Sequence, residues 1–208
     1  MNVNEIIKYE YNLYFPAAKP YIKEKLLDSD TYKIYKWQVA LRKEEYYLEL
    51  QKNNKFFLPL AFFYRRRKNK LGRALGFDIP AGTIEPGLHI WHASPVVINP
   101  YAKIGKNVTI VGNLCVGSNK GNQAAARIGD NCIFGWGGAV IGDVKIPDHC
   151  VVGAGAIVVK DVYEEGAVMV GVPAKNVGRE QIENESIVRV GLYLSGRARS
   201  KKVYDCTL

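Results

Sequence analysis

The sequence predicts a mainly β protein, a parallel β-helix built in six-residue steps behind an N-terminal α-helical cap. Three observations predict it. An aliphatic or aromatic residue returns at Ile104, Ile110, Val116, Ile128, Phe134, Val140, Ile146, Val152 and Val158. Four residues after each anchor stands a small or apolar residue, as at Val108, Leu114, Cys132, Gly138, Val144, Cys150, Ala156 and Val162. Glycine often follows the anchor directly, at Gly105, Gly117, Gly129, Gly135 and Gly153. A period of six fits neither a helix nor a lone strand. It fits stacked coils in which each step is a short strand and a turn, burying one continuous core. Only the slot at Asn122 fails, inside the polar stretch 118–126.

The elements before the repeat follow from local signals. Residues 1–70 lack the period and read as a helical cap, which a solenoid needs over its open end. Asp28, Ser29 and Asp30 are capping residues for a helix beginning near Thr31 and running over 32–51, free of Gly and Pro. Asn53 and Asn54 interrupt it, and a second helix is expected over 55–70, with Phe57, Leu60, Ala61 and Tyr64 on one stripe. A shorter helix is expected over 22–27, after an irregular stretch set by Pro16 and Pro20. Residues 71–86, rich in Gly and Pro, read as a link into the first coils. The β-helix domain spans 71–178. A basic tail, 179–208, follows, its start "REQIENESIVRV" readable as a short helix.

Composition bounds the function. The 208 residues carry 29 Lys+Arg against 20 Asp+Glu, a net charge of +9 that favours anionic partners. No apolar run is long enough for a membrane span, and the start lacks the basic-then-apolar order of a signal peptide. Cys115, Cys132, Cys150 and Cys206 show no CxxC spacing; reduced core thiols in a cytoplasmic protein are expected. The cationic run 65–70 reads either as a solvated helix C-terminus or as a contact for an anionic acceptor or a membrane surface. No nucleic-acid motif accompanies it.

The repeat, with "PGLHIWHASPVVINPYAKIGKNV" and the closing "VGVPAKNV", resembles the hexapeptide-repeat acyltransferases, in particular the serine acetyltransferases and their relatives that acetylate sugars. The resemblance covers about half the chain. It implies a left-handed β-helix, acetyl-CoA as co-substrate and a homotrimer with active sites between subunits. It also implies that "WHASPVV" lies where the family carries its catalytic histidine, so His92 is the candidate general base. Spacing adds that His92 falls six residues before Ile98, a polar side chain in an anchor slot. A neutral imidazole can take the proton of an acceptor hydroxyl as it attacks a thioester carbonyl. Backbone N–H groups of a glycine-rich turn can hold the oxyanion; Gly117 and Ser118 are candidates.

Further candidates follow from the resemblance. Gly135, Trp136 and Ala154 would line the CoA groove, with Lys160 and Lys175 meeting its phosphates. Trp91 stands where the family has Asp, and Ala125 where it has a second histidine, so two polar partners for serine are missing. Members that dock onto cysteine synthase end in isoleucine; this chain ends in Leu208. Trp91 or Trp37 offers a flat face to a sugar ring, and Glu85 is a candidate carboxylate near the acceptor. The expected function is therefore acetyl transfer to a carbohydrate hydroxyl in surface polysaccharide synthesis, with serine O-acetylation as the alternative. The expected partners are acetyl-CoA, a small-molecule or glycan acceptor, further copies of the chain and, peripherally, a membrane. A zinc lyase on the same repeat, like the γ-type carbonic anhydrases, needs three converging histidines. His89 and His92, an odd number apart, would face opposite sides of a strand, and His149 lies in a turn, so no metal is expected.

Overall fold

The computed structural model describes residues 2–16, 21–119 and 124–179. Four helices form the cap. α1 (Val3–Tyr14) is not among the expected elements, though its start is written in the chain: the Asn2 side chain accepts from the Asn4 N–H, and Glu5 returns to the Asn2 N–H, a capping box. α2 (Tyr21–Leu26) and α3 (Asp30–Asn53) follow, the latter capped by the Ser29 hydroxyl accepting from the Tyr32 N–H. After a 3-10 turn over Lys55–Phe57, α4 (Leu58–Leu75) carries Pro59 in its first turn and ends at the left-handed Gly76. α4 thus runs five residues into the stretch expected as a link. Gly72 does not break it. A Cβ there would stand 2.8 Å from the Phe77 carbonyl and 3.2 Å from the Trp37 indole nitrogen, so this glycine permits close packing.

The coils begin with β1 (Phe77–Asp78), β2 (His89–Ile90), β3 (Val96–Ile98), β4 (Lys103–Ile104), β5 (Thr109–Ile110), β6 (Leu114–Gly117) and β7 (Arg127–Ile128). They continue through β8 (Ile133–Phe134), β9 (Ala139–Ile141), β10 (Lys145–Ile146), β11 (Val151–Val152) and β12 (Ile157–Val158). The strands stack in parallel as three walls of a prism: β1-β3-β6-β9-β12, β4-β7-β10, and β2-β5-β8-β11, with β13 (Ala167–Val170) extending the third wall. Every anchor of the six-residue repeat is buried, as are its second-slot partners. β14 (Lys175–Arg179), exposed along its length, folds back antiparallel on β13 at the end of the third wall, so "GVPAK" forms a reversing turn. Residues 120–123, with the Asn122 slot, and 180–208, with the rest of the tail and its expected helix, lie outside the described residues.

The edges need left-handed backbone. Between the second and third walls it is supplied in each coil by Gly87, Asn107, Asn131, His149 and Gly166. His149 is thus a turn residue, at φ 62°. The bottom coil has no coil beneath it, and buried helix side chains satisfy its backbone groups. Arg42 donates to the carbonyls of Ile84 and Glu85, Glu10 accepts from the Gly87 N–H, Gln38 donates to the Leu88 carbonyl, and the Tyr14 hydroxyl accepts from the Ile90 N–H. Trp37, Ile34 and Leu41 join the coil core through this contact. Trp37 is 1% exposed, so it is a core residue and no platform for a sugar.

Candidate active site

His92 does not occupy an anchor slot. Ile90 does: it pairs with Ile110, which pairs with Phe134, which pairs with Val152. From Ile90 to Ile98 the chain takes eight residues where the next coil, Ile110 to Val116, takes six. The two extra residues push the turn outward, and His92 is exposed. No imidazole is buried in the core.

The turn is fixed from inside. Ser94, 6% exposed, donates its hydroxyl to the His92 carbonyl at 3.4 Å and accepts from the Asn113 N–H at 2.9 Å. Along this edge, between the third and first walls, the coils above His92 place Gly112, Trp136 and Ala154. The rings of His92 and Trp136 lie 5.9 Å apart at 64°. Gly112 makes room for them: a Cβ there would stand 2.5 Å from the indole and 2.6 Å from the Ser94 hydroxyl. Gly135 is equally constrained, since its Cβ would meet the Ala154 nitrogen at 2.6 Å. Ser94 and Gly112 are the residues that sequence reasoning missed. Gly112 could have been suspected as a glycine outside the anchor-plus-one slot.

The other candidates scatter. Trp91 precedes His92, but its indole N–H donates to His89 Nδ1 at 3.2 Å, and His89 packs edge-on against Tyr14 at 5.0 Å. Glu85 is exposed on the edge between the second and third walls, so within one chain it does not orient His92. Gly117 ends β6 and Lys160 lies two residues past β12, both at the far edge of the first wall, and Lys175 lies on β14. Ala125 is 5% exposed and part of the core. A groove of about 750 Å³ runs along the second wall, where Lys103, Arg127 and Lys145 stack in register, away from His92. Among the described residues no three His, Cys, Asp or Glu side chains converge as metal ligands. Burial pushes the thiols of Cys132 and Cys150 above their ordinary range.

No protein-family model matches the chain. Serine acetyltransferase of Mycobacterium tuberculosis is 38% identical over 109 residues, 51% of this chain and 47% of that one. Serine acetyltransferase 5 of Arabidopsis thaliana is 39% identical over 91 residues, 42% of this chain and 28% of that one. The chain thus spans less than half the length of these relatives. The solved soybean serine acetyltransferase superposes with a TM-score of 0.65 at 25% identity, covering 84% of this chain and 69% of that one. That of Neisseria gonorrhoeae gives 0.61 at 24% identity, covering 85% and 66%. This chain has the left-handed hexapeptide-repeat β-helix of the serine acetyltransferases.

These relatives overturn the carbohydrate acceptor and the link to surface polysaccharide synthesis, because they are serine acetyltransferases and match the alternative. One physical ground for a sugar also falls away, because Trp37 is buried.

Proposed function

We propose that this chain is an acetyl-CoA-dependent serine O-acetyltransferase with His92 as its general base. The observation that carries the acceptor is the similarity to the serine acetyltransferase of Mycobacterium tuberculosis, 38% identical over 109 residues. What supports His92 is its place: an exposed imidazole at a fixed turn, facing Trp136 across the glycine at position 112. In the proposed step the serine Oγ attacks the thioester carbonyl while His92 takes its proton. A C–O bond forms, the C–S bond breaks as the tetrahedral centre collapses, and the imidazolium proton goes to the leaving thiolate. Trp136, Gly135 and Ala154 would wall the CoA side.

A cyclic homotrimer belongs to the proposal. Above Asp78 the outer face of the first wall is apolar in register, Val97, Cys115, Ala139 and Ile157, whereas the second wall presents Lys103, Arg127 and Lys145. Closing a ring through the first wall covers that column and brings a neighbouring copy to the His92 edge. A cytoplasmic location is proposed with it, in keeping with the free thiols of Cys132 and Cys150.

The test is CoA release from acetyl-CoA with L-serine, read by a thiol reagent. The unmodified protein should turn over, and His92→Ala should lower the rate by roughly 10²–10⁴ with little change in CoA affinity. No release with L-serine sinks the acceptor; an undiminished His92→Ala rate sinks the base.

A further inference from the structure

We propose that the end of the α3–α4 hairpin docks onto an anionic membrane surface, with lipid phosphates as the ligand. No acetyl-transfer step uses this end. From 50 to 77 the chain carries eight Lys and Arg and no Asp or Glu. Three of the cations are engaged: Lys68 is buried and pairs with Glu44 at 3.0 Å, Arg65 donates to Glu44 at 2.8 Å, and Lys52 pairs with Glu49. Arg66, Lys70 and Arg73 are exposed and make no ion pair with described residues.

The hairpin also exposes apolar bulk. Phe56 is 76% exposed, Leu58 55%, Phe62 64% and Phe63 53%. α4 packs inward through Ala61, Lys68, Gly72 and Leu75. At about 100° per residue, Phe62, Phe63, Arg66, Lys70 and Arg73 all fall in the opposite half of the helix. That face is divided along its length, its first turns apolar and its last turns cationic. With a rise of about 1.5 Å per residue, Arg66 stands about 6 Å and Arg73 about 16 Å along the axis from Phe62. An apolar tip followed by cations suits a bilayer surface: apolar side chains enter by about 5–10 Å, which sets Arg66 at the phosphates and leaves Lys70 and Arg73 above them, within roughly a Debye length. A shallow hollow of about 300 Å³ lined by Phe62, Arg65, Arg66, Asn69, Lys70 and Arg73 suits a headgroup phosphate.

Charge decides between occupants. A second copy packed on this face would set cation against cation, with no carboxylate on the segment to answer them. A nucleic acid would match the cations and leave the exposed phenylalanines unexplained.

The experiment is co-sedimentation of the full chain with phosphatidylcholine vesicles, with and without phosphatidylserine. The protein should pellet with the anionic vesicles only. Replacing Arg66, Lys70 and Arg73 together by Gln should weaken binding roughly 100-fold, about fivefold per cation. Phe62→Ser with Phe63→Ser should weaken it as well, most visibly at raised salt, where the apolar contribution remains. These side chains lie opposite the packed face, so thermal unfolding should be unchanged; Arg66→Lys with Arg73→Lys, retaining binding, serves if the Gln variant folds poorly. No binding to anionic vesicles overturns the proposal. So does binding that neither set of changes alters. Equal loss of short-duplex DNA binding in the Gln variant without any effect of the Phe changes on vesicles would assign the face to nucleic acid. Concentration-dependent association abolished by the Phe changes would assign it to a second copy. Serine acetylation in solution should be unaffected throughout, so failure here leaves the proposed reaction standing.

Discussion

Replacing Arg42 by Met should detach the helical cap from the coils. Arg42 is 2% exposed and forms an ion pair with Glu10, also 2% exposed, through contacts of 2.9–3.2 Å. It also donates to Glu45 at 2.8 Å and to the Ile84 and Glu85 carbonyls at 2.8 and 2.9 Å. Burial alone would lower the pKa of the guanidinium, but Glu45 and Glu10 more than reverse that and hold it above its ordinary value. Methionine keeps most of the volume and removes every donor. Glu10 is then a buried carboxylate with no cation, a loss of about 3–5 kcal/mol. Two main-chain carbonyls lose their donors as well, at about 1–3 kcal/mol each where water cannot reach them. A net loss of at least about 4 kcal/mol is expected, lowering Tm by roughly 8–16 °C for a chain of this size. The assay is thermal and urea unfolding followed by far-UV circular dichroism, in a cycle with Glu10→Gln. The double variant should recover part of the loss, because the unpaired carboxylate is gone. A loss under about 1 kcal/mol in Arg42→Met would refute the capping account.

Gly112→Val should displace Trp136 and the Ser94 hydroxyl and lower acetyl transfer at least about tenfold, since a misplacement of about 1 Å can cost two orders of magnitude; an unchanged rate removes the glycine from the site's architecture. Ala139→Arg, in the middle of the apolar column on the first wall, should yield a monomer by light scattering; an intact trimer would move the interface elsewhere. Stability should also fall at alkaline pH. Burial, and then Tyr21, Tyr11 and Glu10, raise Tyr35 from 10.0 to about 12, and burial raises Tyr14 as well. A raised folded pKa gives stability that is complete below pH 10 and is lost as pH climbs from 10 towards about 12, because the unfolded chain releases its phenolic protons first. Tyr35→Phe should flatten that loss; an unaltered profile would show that Tyr35 does not contribute to it.

The sequence alone determined the coils and their register. A six-residue return of Ile, Val and Phe can be satisfied by one repeating geometry, and each anchor from Ile104 to Val158 is buried as that geometry requires. It also located α3 and α4 through Ser29 and the Asn53–Asn54 break, because capping and helix interruption act over a few residues. Period-counting misplaced His92, since a two-residue insertion between Ile90 and Ile98 leaves no mark in a single chain until the coils are stacked against their neighbours. Tertiary structure alone decided which edge each side chain joins. It put Trp136 against His92, sent Glu85 and Lys160 to other edges, and made Ala125 core. It also turned Gly72 from an apparent linker glycine into a packing contact and recruited Glu10, Tyr14, Gln38 and Arg42 as caps for the bottom coil. Local pattern records what each residue does to its own backbone. Contacts between residues 30 to 80 apart depend on how the prism closes and where the helices land on it, and no short-range spacing encodes that.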